Sequence, residues 1–372
     1  MIIGIDGNEA NIKNRVGVNK YAYEVIKGIY NLLPKNEDLI VVVYLKDRPF
    51  SDMPKESKNF KYKVLSSRKM WILTRLTPYL LKNSDRLDVF FSPNHYLPPL
   101  IPIPSVCSVM DLGFFEFSAQ FTKYDFWQLK YWTAISVNRS KYVLTISEAS
   151  KKDIIKYYKK PSEGIVVTYP GVDDLTKTQI SDAKIANIKG KYSIVNDYIL
   201  YLGTLKPSKN IESLITAFSE IKNDNLQLVI AGKKGWLYES IFSLVKNLNL
   251  ERKVVFTDFI DEKDKFALIK GAKMFVLPSF WEGFGLDILT AFSLNVPVVA
   301  SNVGSLPEVV GNAGFLINPN NINSIANGME KVLKMTKKEY NNLIEKEKVQ
   351  LGKFSWINMS KKTIEVLRKA AN

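Results

Sequence analysis

The second half of the chain alternates short apolar runs with stretches of helical period. Tyr198–Leu202, Leu226–Ala231, Val254–Thr257, Met274–Pro278 and Val296–Ala300 read as strands. Between them, Ile211, Leu214, Ile215 and Phe218 recur at helical spacing, and 236–248, 261–270 and 286–294 read as helices. Strands that are apolar throughout, separated by helices, make a parallel sheet covered on both faces. The first half opens the same way. Ile2–Asp6 is a strand, and Val18, Tyr21, Ala22, Val25, Ile26 and Ile29 mark one helical face. Leu39–Leu45, Val89–Ser92, Ser105–Val109 and Tyr142–Ile146 follow as strands, and Trp356–Lys369 reads as a helix. The pattern predicts two doubly wound α/β domains, residues 1–172 and 197–350. A polar, poorly periodic linker over 173–196 joins them. Residues 351–372 form a C-terminal helix expected to pack back on the first domain. Open parallel sheets bind ligands outside the carboxyl ends of their strands, so the expected site is the cleft between the domains.

A length of 372 residues suits two domains of ordinary size. One cysteine, Cys107, and one histidine, His95, exclude a disulfide framework and a Cys/His zinc site. The start, Met1-Ile2-Ile3-Gly4-Ile5-Asp6, lacks the basic, long apolar build of a signal peptide. Five prolines interrupt the apolar stretch 87–110, which cannot be a spanning helix. A soluble, cytoplasmic protein is expected.

Net charge is +15. Residues 46–86 hold 11 basic and 4 acidic residues, interleaved with Trp71, Tyr79 and leucines. Such a segment either lies on an anionic membrane surface, at the inner face of the cell membrane, or packs on its own domain behind a solvated basic rim. No motif for nucleic acid accompanies the charge.

No G-x-G-x-x-G follows the first strand, and no phosphate loop of the G-x-x-x-x-G-K-[ST] type occurs. The strongest segment is Pro278-Ser279-Phe280-Trp281-Glu282-Gly283-Phe284-Gly285-Leu286, which leaves a strand and opens a helix. Its glycines let a ligand approach the backbone, and a helix start favours an anion such as a diphosphate. Glu282 would be repelled by phosphate and suits sugar hydroxyls; the plain alternative is a glycine turn with a solvated glutamate. Tyr201-Leu202-Gly203-Thr204-Leu205-Lys206-Pro207-Ser208-Lys209-Asn210 also joins strand to helix. A cation at Lys209 is unfavourable for the helix alone and points to an anionic ligand. Arg15-Val16-Gly17-Val18-Asn19 opens the first helix, where Gly17 admits a phosphate or merely turns the chain. Asp111, just after a strand, either faces the site or caps the next turn. His95, in Ser92-Pro93-Asn94-His95, is either catalytic or structural.

Taken together these segments resemble glycosyltransferase family 4, the retaining enzymes of GT-B architecture, and its mannosyltransferase-like branch most closely. The likeness covers nearly the whole chain. It rests on Gly17-Val18-Asn19-Lys20-Tyr21, Ser92-Pro93-Asn94-His95, Ser147-Glu148-Ala149-Ser150-Lys151 and Tyr169-Pro170-Gly171-Val172-Asp173 in the first half. In the second half it rests on Gly203-Thr204-Leu205 with Lys209-Asn210, on Glu282-Gly283-Phe284-Gly285-Leu286, and on Ser305-Leu306-Pro307-Glu308-Val309.

The resemblance implies two Rossmann-like domains. It also implies transfer of a sugar, by branch mannose from GDP-mannose, from a nucleotide diphosphate sugar to a glycan or lipid-linked acceptor in polysaccharide synthesis. Neither cofactor nor metal is implied, because protein cations stabilise the leaving diphosphate. Asp111, Lys209 and Glu282 match the catalytic positions. Gly17, Val18, Gly203, Thr204, Gly283, Phe284, Gly285, Leu286 and Thr290 join Lys209 and Glu282 on the donor side. His95, Met110 and Asp111 fall on the acceptor side. Three positions depart from the family pattern: Thr204 replaces an arginine, Thr290 a second glutamate and Met110 a histidine. Because of them a second reading stays open, a catalytically degenerate GT-B protein that binds nucleotide or glycan or supports a partner transferase.

Overall fold

The computed structural model describes residues 1–36, 38–66, 70–118, 122–172 and 180–372. The chain divides into two compact units, one of residues 1–171 with 354–372 and one of residues 172–353.

The first unit runs β1 (Ile2–Asp6), α1 (Val18–Leu32), β2 (Ile40–Leu45), β3 (Phe60–Val64), α2 (Thr77–Lys82), β4 (Val89–Ser92), β5 (Ser105–Val109), α3 (Gly113–Glu116), α4 (Lys123–Arg139), β6 (Tyr142–Thr145), α5 (Glu148–Tyr158) and β7 (Ile165–Val167). Its seven strands lie in the order β3-β2-β1-β4-β5-β6-β7, all pairs parallel. The inner strands β4 and β5 are buried throughout, including Ser92, Ser105 and Ser108 among their apolar residues. The pattern does not predict β3 or β7. Both are edge strands, and β3 keeps Lys61 and Val64 exposed.

In the basic segment 46–86, residues 67–69 lie outside the described residues. Trp71 is buried, and its indole N–H donates to the Leu65 carbonyl at 2.6 Å. Leu76 and Leu80 are fully buried in the same core. For these side chains the structure takes the second alternative: the segment's apolar face packs on its own domain.

The second unit runs α6 (Asp182–Lys191), β8 (Asp197–Leu202), α7 (Ile211–Ser219), β9 (Leu226–Ala231), α8 (Glu239–Asn247), β10 (Val254–Asp258), α9 (Glu262–Lys270), β11 (Met274–Leu277), α10 (Leu286–Ser293), β12 (Val298–Ser301), α11 (Leu306–Val310), β13 (Phe315–Ile317), α12 (Ile322–Leu333) and α13 (Lys337–Leu351). Its sheet has the order β10-β9-β8-β11-β12-β13, again all parallel. Of the expected linker, 173–179 lie outside the described residues, as does Asp173 of the Tyr169–Asp173 motif. The described remainder corrects the expectation. Residues 182–191 form α6, capped by Ser181 and packed on α9 through buried Ile188 and a 2.6 Å Lys191–Asp264 ion pair. With two isoleucines in ten residues, α6 carries too little periodic signal to read from sequence.

The chain then returns to the first unit as α14 (Trp356–Ala371), which packs on α1 and reaches β4, β5 and β6. Gly28 permits the approach: a Cβ there would lie 1.9 Å from the Ser360 Oγ. Met359, Ile364, Val366 and Leu367 are buried, each contributing about 1.5–3 kcal/mol. Arg368 clamps Asp38 with two bonds of 2.6 and 2.9 Å.

Candidate functional site

In the second sheet β8 lies between β9 and β11, so the chain order reverses at the β8–β11 boundary. Loops leaving the carboxyl ends of two such strands diverge and open a crevice. The two segments singled out from sequence are those loops, 203–210 after β8 and 278–285 after β11. Asn210 holds them together. Its backbone is left-handed (φ 57°), and its buried side-chain amide donates to the Pro278 carbonyl at 3.0 Å and the Pro319 carbonyl at 2.8 Å. The Phe280 N–H adds a bond to the Ser208 carbonyl at 3.0 Å.

This junction sets Lys209 against Glu282. Lys209 ends a short 3-10 turn, Pro207–Lys209, ahead of α7 rather than within it. Its Nζ lies 2.5 Å from Glu282 Oε1, and Ser279 Oγ donates to the same oxygen at 2.7 Å. The Ser305 hydroxyl and N–H donate to the Glu282 carbonyl at 3.0 and 3.3 Å. Both charged side chains are largely buried, so each depends on the other for compensation.

Gly285 starts α10 with φ +92°, a conformation that favours glycine, and a Cβ there would meet Leu306 at 2.9 Å. No side chain caps the first turn of α10, and Asp287 within it is paired with Lys265. The helix start thus presents backbone N–H groups to an anion. Gly283 and Leu286 are half-buried beside it. The Phe284 ring is buried. Thr290, expected to reach a ribose, is buried and donates its hydroxyl back to the Leu286 carbonyl at 3.3 Å.

Thr204 is exposed at the mouth of the β8 loop, where the family pattern has a cation. The neighbouring loop supplies cations that the sequence reading passed over. Gly232-Lys233-Lys234-Gly235 leaves β9 and runs beside 203–205: Leu205 N–H donates to the Lys233 carbonyl at 2.9 Å, and a Cβ on Gly232 would lie 1.9 Å from the Gly203 carbonyl oxygen. Lys206 Nζ sits 5.1 Å over the Trp236 ring and Lys233 Nζ 4.7 Å over Phe259. The available signal was a lysine pair between glycines directly after a strand.

Tyr201 lies beneath Gly203, fully buried, and its hydroxyl has no partner among the described residues. Burial, reinforced by the Glu282 and Asp287 carboxylates, holds the phenol protonated well above its ordinary range. The Trp281 indole N–H is a second buried donor without a partner among the described residues.

In the first unit, β1, β4 and β5 are adjacent and parallel, so their carboxyl ends share one edge. Gly17 and Val18 begin α1, with Gly17 exposed. His95 follows β4; its Nδ1 lies 3.5 Å from Thr133 Oγ1. Burial holds the imidazole below its ordinary pKa, against the pull of the nearby Asp111 carboxylate. Met110 is buried after β5. Asp111 Oδ1 accepts the Gly113 N–H at 2.9 Å and so caps the turn into α3. Asp6, which sequence reasoning missed, ends β1. It accepts the Asn8 N–H and side-chain amide at 3.1 and 2.9 Å, and burial pushes its carboxyl up to about 7.

Comparison with known proteins agrees with this architecture. A sequence model of the family described as "Glycosyl transferases group 1" matches residues 185–350. The O-antigen chain mannosyltransferase B of Escherichia coli is 31% identical over 286 residues, covering 75% of this chain and 74% of that one. The serotype-specific mannosyltransferase WbdA of Escherichia coli is 33% identical over 233 residues, 61% of this chain but 28% of WbdA. Among solved structures, Anabaena HepE in complex with UDP and glucose superposes with a TM-score of 0.74 at 17% identity, covering 99% of each chain. The two parallel sheets are those of a GT-B glycosyltransferase. The chain belongs to the group 1 glycosyltransferases.

Proposed function

We propose that this transferase moves mannose from a nucleotide diphosphate sugar to a glycan or lipid-linked acceptor in cell-surface polysaccharide synthesis, with retention of configuration and without a metal. The mannosyl and polysaccharide parts of the reading draw support from relatives named for O-antigen mannosyl transfer. The observation that carries the chemistry is the Lys209–Glu282 pair beside the uncapped start of α10. A bound diphosphate competes for the Lys209 ammonium and for the open N–H groups. Glu282, still held by Ser279, then accepts hydrogen bonds from sugar hydroxyls. Lys209 opposes the charge that develops on the leaving diphosphate, in a site where fixed charges need no reorganisation. Gly203, Thr204, Gly283, Phe284, Gly285 and Leu286 line the donor through their backbones, and Lys233 supplies charge that Thr204 lacks. In the first unit, Gly17 and Val18 approach the phosphates, Asp111 keeps one oxygen for the reaction, and His95 and Met110 contact the acceptor.

The reaction on this reading takes place on the cytoplasmic side. Among the described residues no helix is long and apolar enough to cross a membrane. The test is a thermal-shift titration of the pure protein with UDP, GDP, ADP, TDP and CMP in the presence of a chelator. It is followed by turnover of the matching sugar panel with NMR of the product anomer. A ligand at 100 times its Kd stabilises by about 2.7 kcal/mol. Stabilisation by GDP alone, and an α-mannoside from GDP-α-mannose, are expected. No response to any nucleotide overturns the reading, and a metal requirement overturns its metal-free part.

A further inference from the structure

The helix α4 is apolar on two sides. Inward it packs Phe126, Leu129, Thr133 and Val137 against the core of the first unit. Outward it carries Tyr124, Trp127, Tyr131 and Ile135, which are 75, 46, 53 and 46% exposed. Their spacing of three, four and four residues puts them on one face. Trp127 and Tyr131 stack on each other, with ring centroids 5.0 Å apart and 8° between planes, so the middle of the stripe is a flat aromatic pair.

The charges beside the stripe have one sign. Lys130 Nζ lies 5.0 Å from the Trp127 ring centre, Lys123 stands two turns earlier on the same flank, and Arg139 is exposed at the far end. Asp125, the acidic residue of the helix, is turned to the amino-terminal cap, where its N–H and carboxylate bond to Thr122. Residues 122–160 hold nine basic and three acidic residues, so the cationic bias extends through α5.

We propose that this face of α4 is a docking surface for an anionic lipid bilayer. Tyrosine and tryptophan rings with polar tips settle at the headgroup boundary, and lysines flanking them meet lipid phosphates. The bilayer is favoured as occupant by charge complementarity and by the flat run of exposed rings along a helix. This assigns attachment to a different place from the basic 46–86 segment, whose Trp71, Leu76 and Leu80 are committed to the core. It stands independently of the sugar transferred, because vesicle binding needs no turnover.

The experiment is sedimentation of the full chain with phosphatidylcholine vesicles with and without phosphatidylglycerol, at low and high salt. Wild type should bind the anionic vesicles, and more weakly as salt rises. W127S/Y131S should lose about tenfold or more of that binding, the scale of withdrawing two rings from the interface. K123Q/K130Q should weaken it and flatten its salt dependence. K61Q/K63Q, two exposed cations of the 46–86 segment, should leave it near wild type. Brominated lipid should quench indole emission in wild type and do so less in W127F. An unchanged melting curve for W127S/Y131S shows that the fold is intact. Equal binding by wild type and W127S/Y131S, or no binding by wild type, overturns the proposal. So does a wild-type dimer that W127S/Y131S splits in sedimentation equilibrium, which would make a second copy the occupant.

Discussion

Lys209 Nζ lies 2.5 Å from Glu282 Oε1, across 73 residues of sequence, and the contact exists because β8 and β11 are neighbours. Each partner shields the other from an uncompensated burial. Replacing Lys209 by Met should lower kcat by about 10²–10³, the scale of losing one fixed charge at a developing anion. Glu282→Ala should lower transfer strongly while leaving the fold intact. The stability losses should not add, since the double variant leaves no charge stranded. Turnover and melting of the two singles and the double check this; full activity in Glu282→Ala would remove the residue from the site.

Gly232→Ala should collapse donor affinity without touching a charged group. Its Cβ would fall 1.9 Å from the Gly203 carbonyl oxygen, so the β8 and β9 loops must part. A Kd for the nucleoside diphosphate raised about tenfold or more is expected, given that positioning backbone contacts to an anion are lost together. Calorimetric titration measures it, and an unaltered Kd would show that the loops yield freely.

Glu347 makes the second unit sensitive to alkali. It lies in α13, fully buried, with both carboxylate oxygens lacking a partner among the described residues, and burial raises its pKa to about 9. The folded state therefore holds a proton that the unfolded state releases near 4.3. Stability from this group is full below that value and falls as pH rises through the window up to about 9. Glu347→Met should raise the stability of this unit by about 1–3 kcal/mol at pH 8 and flatten its pH dependence. Melting curves from pH 5 to 9 decide, with parallel profiles for variant and wild type counting against it.

Gly28→Leu should lower the melting of the first unit and spare the second. The added side chain has no room against Ser360, and α14 must lift from α1. A loss of about 2–4 kcal/mol is expected from overpacking and partial exposure of the helix face. Hydrogen exchange resolved by peptide reads the two units separately; faster exchange confined to 172–353 would contradict the assignment.

The interior of both sheets is legible in the chain because strands covered on two faces are mostly apolar, with at most small polar residues such as Ser105 and Ser108. The edges are not. Phe60–Val64 alternates with lysines, and Ile165–Val167 and Phe315–Ile317 are three residues long, too short to show a period. At the site, the glycines and charges of 203–210 and 278–286 stand out by their place between strand and helix. That Lys209 meets Glu282 depends on strand order, which no local pattern records. The orientation of Thr290 is equally hidden, because a hydroxyl in a helix bonds outward or back to its own carbonyls. The lysine-rich 46–86 segment drew attention by composition. The exposed aromatic face of α4 is invisible without knowing which of its two apolar sides meets the core.

The return of the chain to its first unit fixes an order of assembly. Residues 1–171 leave the ribosome before 354–372, yet α1 and strands β4, β5 and β6 gain the cover of α14 only after the second unit has been made. Gly171, where the chain leaves, packs directly on Trp356, where it comes back: a Cβ there would lie 2.1 Å from the Trp356 backbone nitrogen. The apolar surface meant for Ile364, Val366 and Leu367 stays open during synthesis of the whole second unit. The first unit, begun before the second, is therefore completed after it. A truncated message would release it with an unclosed hydrophobic seam, marked for capture by chaperones or for degradation.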